Sequence, residues 1–429
     1  MEIRDPIYGF IKINEFEKEI IDTDTFQRLR RIQQLAFSSM AYPGAVHTRF
    51  EHSLGVMHLA GLMYDSIIED RDNRELLHKT LPYGENQDEF ERDKQLIRIA
   101  ALLHDVGHAP FSHAAEEVIP EKSPGKKFKH DEDYTPAAIR GPLKDAIEKS
   151  PFNEFGISAE QIAEFFEQKR LGGEKAFWKS IISSQLDADR GDFLLRDSHH
   201  AGVKYGVYDF WRLLNTLTLG RQPEEPADII LGVNDNGLRV AESFIIARYL
   251  MYTQVAFHKT RRAFDYHLTN AMTEIIGGKL PAPNEINEYL KFDDLTILNE
   301  IRKKKDSNED CEAIWYRRHV RCVHSDELKQ ADIKPEDIQN KQREVDEVRT
   351  RLDREGIECY PDKLVNKWWY KKGDPYDEVK IISNAPHKGK VLLLSNRSPI
   401  VRDIGRIVKW RLFVKPQDKI KADNVLNKQ

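Results

Sequence analysis

A histidine and an aspartate stand side by side at His104 and Asp105, directly after a largely apolar segment over residues 96–103. Such a segment is typical of a buried helix, so we expect the pair at the end of a core helix. Burying a carboxylate beside an imidazole is costly, and a shared divalent metal ion would remove that cost. Neutral imidazole and carboxylate are suitable ligands for Mn, Fe, Zn or Co. From these residues alone, a metal site and a metal-free hydrogen-bonded pair are equally good interpretations.

His52 is a second candidate metal ligand. It stands near the N-terminal end of a segment whose apolar residues recur at helical spacing to about residue 68. Taken alone, a histidine in this position is more often a capping or core residue than a ligand. The Cys and His residues between positions 311 and 324 compete as a zinc site, but their spacing matches no common structural-zinc pattern.

Asp189 is the third candidate, within a segment over residues 177–196 that we predict as one helix interrupted only at Gly191. Asp189, Phe193 and Asp197 are four residues apart and therefore share one helix face. A solvated charged helix is the ordinary interpretation of such a pattern. The apolar neighbours nevertheless make much of this helix resemble a core helix, so an acid among them is expected to have a partner.

The elements that must position these residues are mostly helical. Residues 15–35 are predicted mostly helical, residues 69–92 a loop or frayed helix, and the last ten residues disordered. Further helices are predicted over 239–275, from 281 to about 332 and over 336–354, followed by strands at 379–382, 391–394 and 410–414. The sequence therefore predicts a mainly α fold with a small C-terminal α/β lobe, and domains 1–279 and 280–429.

Composition limits the function classes. The 429 residues carry a net charge of -5, with 32% charged and 40% hydrophobic residues, which is typical of a soluble globular protein. No apolar segment approaches the roughly 20 residues needed to cross a bilayer, and the N-terminus lacks a signal-peptide pattern. Three cysteines without a CxxC motif suit a reducing cytoplasm. Neither a P-loop nor a GxGxxG motif is present. We therefore expect a cytoplasmic protein whose main partner is neither a membrane nor a nucleic acid.

Together these residues resemble a known ligand pattern. His52, the His104-Asp105 pair and Asp189 stand in the order H…HD…D, which is similar to the HD superfamily of metal-dependent phosphohydrolases. Several motifs narrow the resemblance to the deoxynucleoside triphosphate (dNTP) triphosphohydrolases of that superfamily. These motifs are DPIYG at 5–9, FQRLR at 26–30, RFEHSLG at 49–55, HDVGHAPFSH at 104–113, DADR at 187–190 and RDSHH at 196–200. The resemblance implies an HD-domain helical core.

By this resemblance, the reaction is cleavage of a dNTP to a deoxynucleoside and inorganic tripolyphosphate. It implies a divalent transition metal (Fe, Mn, Zn or Ni) in the HD site and Mg²⁺ bound with the nucleotide. The implied metal ligands are His52, His104, Asp105 and Asp189. The residues implied in phosphate contact, in proton transfer or in orienting a catalytic histidine are Arg49, His108, His113, Glu116 and His130.

The resemblance also implies a set of substrate-binding residues. Gln34 and Leu35 would read the sugar, Leu35 by crowding a ribose 2′-hydroxyl, and Asp197 would accept a hydrogen bond from the 3′-hydroxyl. The cations implied on the triphosphate are Arg49, Arg190 and Arg248. Two further positions depart from the family pattern: Phe193 replaces its usual tyrosine, and Tyr252 replaces a histidine of the vertebrate enzyme. Ala256-Phe257 also replaces a Tyr-Gln pair that lies near the base in the vertebrate enzyme, and these departures leave the exact substrate and its affinity open.

Some members of the family are activated by a nucleotide that binds between subunits. The residues that resemble this activating site are Asp22, Gln27, Arg30 and Arg212. An activating dNTP, GTP or dGTP and a homo-oligomer, tetramer or dimer, are therefore expected. Met1 and Glu2 stand where the family has a basic residue before its Asp-Pro motif. Two alternative functions remain open: an HD phosphodiesterase or nuclease acting on nucleic acid or a signalling nucleotide, and a non-catalytic nucleotide sensor.

Overall fold

Helices form most of the fold, as the sequence predicts. The computed structural model describes residues 1–81, 86–167, 176–221, 229–330, 333–365, 378–383 and 390–427. The helices of the N-terminal two thirds are α1 (Glu15–Ile21), α2 (Asp24–Gln27), α3 (Arg49–Glu69), α4 (Arg71–Thr80), α5 (Gln87–Leu103), α6 (Thr135–Arg140), α7 (Lys144–Glu148), α8 (Ala159–Glu167), α9 (Ala176–Ile182), α10 (Ala188–Ala201), α11 (Phe210–Leu214), α12 (Leu238–Met251) and α13 (Lys259–Ile276). Those that follow are α14 (Ile286–Tyr289), α15 (Asp294–Lys304), α16 (Glu309–Trp315), α17 (Pro335–Arg354), α18 (Leu394–Arg397), α19 (Pro399–Asp403) and α20 (Lys419–Asn427).

Strands form small sheets around and beyond the helices. In chain order they are β1 (Glu2–Asp5), β2 (Gly9–Lys12), β3 (Glu121–Ser123), β4 (Lys126–Lys127), β5 (Leu217–Arg221), β6 (Ile229–Asn234), β7 (Arg321–Gln330), β8 (Tyr360–Val365), β9 (Lys380–Ile382), β10 (Val391–Leu393) and β11 (Arg406–Val414). One sheet has the order β7-β11-β8 and is antiparallel throughout, with Trp410 opposite Asp326 and Lys363. A second sheet, in the order β10-β9-β6-β5, has one parallel pair, β6 with β9. The predicted fold class is confirmed.

The centre of the helical core is α3, which packs against both α5 and α10. A capping box begins α3: the Thr48 amide donates to Glu51 Oε1 at 3.0 Å. The last turns of α5 are fully buried from Ile99 to Leu103, because nearly every side chain there is apolar. Gly55 lets α10 approach α3 closely, since a Cβ at this position would overlap the Asp192 carboxylate. These three helices bring the candidate ligands to one place.

Several predicted boundaries are confirmed and others are wrong. The helix from His52 corresponds to α3, the segment 336–354 to α17, and the three C-terminal strands to β9, β10 and β11. Within the segment 69–92, residues 71–80 form α4 and residues 87–92 begin α5, while 82–85 lie outside the described residues. The segment 177–196 is two helices, because the Asp187 side chain accepts hydrogen bonds from the Ser184 and Arg190 amides and so caps a new helix.

The remaining differences concern strands and the C-terminus. Residues 321–330 form β7 and not a helix, because the long strand β11 pairs with them along their whole length. The strands β5 and β6, within the helical region, were not predicted, and they join the C-terminal β9 in one sheet. Residues 419–427 form α20 and not a disordered tail, with Ala422 buried in the small C-terminal core. The division at residue 279 stays a prediction.

Candidate metal centre and active site

The structure brings the four candidate ligands together. His52, His104 and Asp105 have ligand atoms that all lie within 4.8 Å of one another. Asp189 Oδ1 lies 3.2 Å from His52 Nε2 and 3.8 Å from His104 Nε2. His52 comes from α3, the His104-Asp105 pair follows α5, and Asp189 lies in the first turn of α10. Two imidazoles and two carboxylates around one point can hold a divalent metal ion.

The two histidines are oriented as metal ligands are. His104 Nδ1 lies 2.7 Å from the carbonyl oxygen of Ala101, which can only accept, so Nδ1 carries the proton. His52 Nδ1 lies 2.8 Å from Asp192 Oδ2 in the same way. Both Nε2 atoms point into the cluster, buried and with no hydrogen-bond partner in the described part of the chain. Histidines held through one nitrogen, with the other directed at a common point, fit a metal ion.

Asp192 supports His52 from behind. Its carboxylate also accepts from Arg196 Nε at 2.8 Å and from Arg196 Nη2 at 2.9 Å, and both residues are fully buried. A second ion pair connects Arg196 Nη1 to Asp5 Oδ2 at 2.8 Å. We did not predict Asp192 as a site residue, although its spacing of four residues before Arg196 is a recognisable ion-pair signal.

The electrostatics of the cluster favour a cation. Burial opposes a charge on the His52 imidazole, yet the carboxylates of Asp189, Asp192 and Asp105 outweigh it and raise the pKa of His52 to about 10. Burial likewise opposes the charge on Asp189, but the neighbouring imidazoles of His52 and His104 lower the pKa of Asp189 to about 2. The same effects, with Arg49 the largest attractive one, lower the pKa of Asp105. The carboxylates of Asp105 and Asp189 therefore stay ionised at neutral pH.

A second group of candidate residues shares Asp105. The side chains of Asp105, His108 and His130 also have ligand atoms within 4.8 Å of one another, and the two imidazole rings lie 3.7 Å apart. His130 belongs to a single π-helical turn, His130–Tyr134. Gly107 allows this turn to pack on the His-Asp motif, since a Cβ there would lie 2.7 Å from His130 O. The predicted proton-transfer histidines His108 and His130 therefore lie beside the candidate metal ligands.

The remaining predicted catalytic residues differ in position. Arg49 is buried, pairs with Asp105 and donates from Nε to Ser112 Oγ at 2.8 Å. Glu116 is exposed on the 3₁₀ turn Ser112–Val118. His113 belongs to the same turn, but its side chain lies outside the described part of the structure, so the predicted contact between the two is not described.

A cavity of about 260 Å³ opens beside the cluster. Its described lining includes His104, Asp105, His130 and Asp189, together with Phe165, Phe166 and Lys179. Burial lowers the pKa of Lys179, while the nearby acids Glu132 and Asp131 act in the opposite direction. Lys179 was not predicted from the sequence. A lone lysine on an otherwise apolar helix carries no signal until the fold turns it toward a cavity.

The candidate sugar-binding residues are connected through His47. The backbone amide of Gln34 donates to the backbone carbonyl of His47 at 3.0 Å, and the His47 side chain places Nε2 2.7 Å from Asp197 Oδ1. Gln34 Oε1 is buried and has no hydrogen-bond partner within the described residues. Leu35 is half-buried beside it. Asp197 lies eight residues after Asp189 on α10, about 12 Å along the axis at the usual rise, a span comparable to that between the phosphates and sugar of a nucleotide.

The candidate phosphate-binding residues form another group. Arg190 pairs with the buried Asp187 in the first turn of α10. Arg248, on α12, donates to Gln185, and its guanidinium lies 5.9 Å from the centre of the Tyr252 ring. Burial and the charge of Arg190 lower the pKa of Arg248 to about 10, which indicates that the two cations are near neighbours. Phe193 is half-buried on α10.

The candidate activator residues divide into two places. Arg30 Nε donates to Gln27 Oε1 at 2.8 Å, and Gln27 in turn donates to Ile21 O, next to the exposed Asp22. Arg212 lies on α11, where its guanidinium donates to Asn236 O at 3.3 Å. An activating site built from all four residues is not brought together by contacts within the described chain.

The chain matches two protein-family models and several known proteins. The family model for the HD domain matches residues 49–171, and that for an HD-associated region matches residues 208–356. An uncharacterized protein of Bacillus subtilis, YwfO, is 34% identical over 71% of this chain and 66% of its own length. The deoxynucleoside triphosphate triphosphohydrolase SAMHD1 homolog of Dictyostelium discoideum is 30% identical over 71% of this chain and 55% of its own.

A solved structure extends the comparison to the whole chain. A hypothetical protein from Aquifex aeolicus is 29% identical, with a TM-score of 0.77 and full coverage of both chains. The chain spans roughly a half to two thirds of the length of the curated relatives it matches, at 54%, 66% and 55% for three of them. In the described part of the chain, no helix is both long enough and apolar enough to span a membrane.

Proposed function

This chain belongs to the HD-domain family, and from that premise we propose that it is a metal-dependent hydrolase that converts dNTPs to deoxynucleosides and inorganic tripolyphosphate. Its substrate would be a dNTP bound with Mg²⁺. The protein would be a homo-oligomer in the cytoplasm. The metal ion would be a divalent transition metal such as Fe, Mn, Zn or Ni.

One observation carries the proposal: two buried imidazole Nε2 atoms and two carboxylates converge on one point beside a cavity. His52, His104, Asp105 and Asp189 would hold the ion, which when bound would polarise the α-phosphate. The two histidines support the proposal, because each uses Nδ1 in a hydrogen bond and leaves Nε2 without one among the described residues. A core histidine without a ligand would be expected to pair both nitrogens. A cavity lined by Lys179 and His130 is suited to a polyphosphate.

The side chains around the cluster divide the remaining work. Hydrolysis forms a bond between the oxygen of water and the α-phosphorus and breaks the bond between that phosphorus and the sugar 5′-oxygen. The departing 5′-oxygen needs a proton, which His108 or His130 would supply, since an imidazole titrates near neutral pH. Arg49, Arg190 and Lys179 would neutralise phosphate charge that the metal ion leaves uncompensated.

Selection of a deoxynucleotide is the finer part of the proposal. The Dictyostelium relative carries the name of a dNTP triphosphohydrolase, and Gln34, Leu35 and Asp197 resemble the residues that read the sugar in such enzymes, so we assign them that role here. The connection of Gln34 to Asp197 through His47 supports a common pocket. Activation by a second nucleotide, GTP, dGTP or a dNTP, at Asp22, Gln27, Arg30 and Arg212 would require a partner subunit, since these residues lie in two places.

Product analysis tests the proposal. The protein is incubated with each dNTP and each NTP, singly and in pairs, with Mg²⁺ and with or without Mn²⁺, and the products are separated by ion exchange. We expect deoxynucleoside and tripolyphosphate, lost in His104→Ala and Asp189→Ala. The matched control His267→Ala removes a buried histidine from another His–Asp pair, with Asp310 at 2.7 Å, and is expected to retain activity. Nucleoside monophosphate and pyrophosphate as products, or cleavage of oligonucleotides alone, would contradict the proposal.

A further inference from the structure

A single buried carboxylate joins two loops of the candidate active site. Asp294 Oδ1 accepts from the Phe111 amide at 2.6 Å, and Asp294 Oδ2 accepts from the Gln33 amide at 2.8 Å. Phe111 belongs to the loop that follows His108, and Gln33 directly precedes the candidate sugar-reading pair that begins with Gln34. The side chain of Asp294 is almost entirely buried. The position of each loop therefore depends on the other through this carboxylate.

The backbone at His108 has further supports, from Tyr289 and from Arg28. Tyr289 OH donates to Gly107 O at 2.9 Å. The buried Arg28 guanidinium donates to His108 O and to Phe292 O, each at 2.9 Å. Tyr289 and Asp294 thus hold the backbone on either side of His108, at Gly107 and at Phe111, although both lie beyond the HD-domain match at 49–171.

The loop needs such support because its backbone is strained. Phe111 has a φ of 55° and Ser112 a φ of 57°, in the left-handed region that side chains with a Cβ disfavour. Such a conformation is unfavourable for a residue with a Cβ and persists only where its surroundings hold it. The hydrogen bond from the Phe111 amide to Asp294 and that from Ser112 Oγ to Gln33 O are two of these restraints.

Helix capping does not account for Asp294. The cap of α15 is the preceding residue, Asp293, whose Oδ1 accepts from the Thr296 amide at 2.8 Å. Both carboxylate oxygens of Asp294 are directed to the two loops. Burial raises the pKa of Asp294 to about 7 although the two amides act in the opposite direction, so keeping this carboxylate in place is costly.

We propose that Asp294 is a positioning residue that fixes the sugar-reading loop at Gln34 relative to the loop of the proton-transfer histidine His108. This inference rests on the proposed function and adds to it a link between sugar selection and chemistry. A substrate whose sugar is held by Gln34 would then present its 5′-oxygen to His108 at a set distance. Loss of the link would lower turnover and sugar selectivity together.

The test compares two carboxylates at one helix end. In Asp294→Asn the amide keeps one acceptor oxygen but places an NH₂ group against a backbone amide, so one loop loses its partner. We expect kcat to fall about tenfold or more, because an unpaired buried donor is costly. We also expect the preference for dNTPs over NTPs in kcat/KM to fall. Asp293→Asn keeps the helix cap and loses only the pairing with Arg31, so both quantities should stay within about twofold of the wild type.

Amide hydrogen exchange gives a readout independent of activity. In Asp294→Asn we expect faster exchange at Gln33 and Phe111 than in Asp293→Asn. Unchanged exchange at both amides, or equal losses of kcat and selectivity in the two variants, would overturn the inference. If the wild type hydrolyses no dNTP, the proposed function fails, and the exchange result still decides whether Asp294 links the loops.

A second variant keeps the inference testable if Asp294→Asn does not fold. Tyr289→Phe removes the bond to Gly107 O and leaves both hydrogen bonds of Asp294 in place. It should lower kcat and leave the preference for dNTPs over NTPs unchanged. A parallel loss of selectivity in Tyr289→Phe would contradict the assignment of the link to Asp294.

Discussion

Replacement of Asp192 by asparagine tests whether the support behind His52 sets metal affinity. Asp192 is not a proposed ligand, but it is fully buried and receives three donors: His52 Nδ1 at 2.8 Å, and Arg196 Nε and Nη2 at 2.8 and 2.9 Å. Asparagine keeps one acceptor oxygen and turns the other position into a donor. At least one of the three donors therefore loses its partner, and His52 Nδ1 no longer faces a charged acceptor.

The magnitude follows from these contacts. Loss of an outer carboxylate partner of a metal-bound histidine typically weakens metal affinity about 10- to 100-fold, and that range is expected here. Breaking a buried ion pair costs about 3–5 kcal/mol of stability. We expect the lower end, about 3 kcal/mol, because Arg196 keeps Asp5 Oδ2 at 2.8 Å.

The assay measures Mn²⁺ affinity by calorimetry and the free energy of unfolding by urea titration. Glu17→Gln is the matched control, because Glu17 is also fully buried and accepts two bonds from Arg98, at 2.6 and 2.9 Å, away from the cluster. Both variants should lose stability, and only Asp192→Asn should lose metal affinity. An unchanged Mn²⁺ affinity in Asp192→Asn, or an equal loss in Glu17→Gln, would refute the reasoning.

Three further predictions concern the surroundings of the site. Gly107→Ala should displace the His130 turn and lower stability by about 1–3 kcal/mol, as thermal unfolding and kcat would report. Lys179→Met should raise KM for a dNTP about tenfold, whereas the exposed Lys122→Met should not. Burial and neighbouring arginines lower the pKa of His319 to about 4, below the 6.5 of the unfolded chain. Its contribution to stability is therefore present above pH 6.5 and is lost as the pH falls toward 4, so His319→Gln should flatten the pH dependence of Tm.

Each of these predictions has a contradicting result. A wild-type Tm and kcat in Gly107→Ala would mean that the turn at His130 accommodates a Cβ without cost. An unchanged KM in Lys179→Met would remove that lysine from the phosphate site. Parallel curves of Tm against pH for the wild type and His319→Gln would show that other groups govern the acid range.

Local pattern predicted much of the helical fold. The apolar segment that ends at Leu103 predicts the end of α5, and the apolar residues after His52 predict α3. Both predictions succeed because the spacing of apolar residues along a helix indicates which face is buried. The resemblance of the motifs to the HD pattern pointed to four side chains that the structure brings within a few ångströms of one another. Their role as metal ligands remains a prediction.

The features that the sequence did not predict depend on contacts between residues that are far apart in the chain. The strand β7 has a helix-compatible composition and is a strand because β11 pairs with it some 80 residues later. Asp294 and His47 gain their importance only from loops that fold back onto them. Lys179 likewise has no local signal. The sequence alone does not predict which side chains bond to a backbone group far away in the chain or which side chains line a cavity.

The fate of labelled water tests the central claim most directly. A dNTP is hydrolysed in H₂¹⁸O, and the position of the ¹⁸O is read by ³¹P nuclear magnetic resonance and mass spectrometry. Attack at the α-phosphorus with loss of the 5′-oxygen predicts one ¹⁸O in the tripolyphosphate, on a terminal phosphorus, and none in the deoxynucleoside. An ¹⁸O in a nucleoside monophosphate, in the deoxynucleoside or in free orthophosphate would contradict the account.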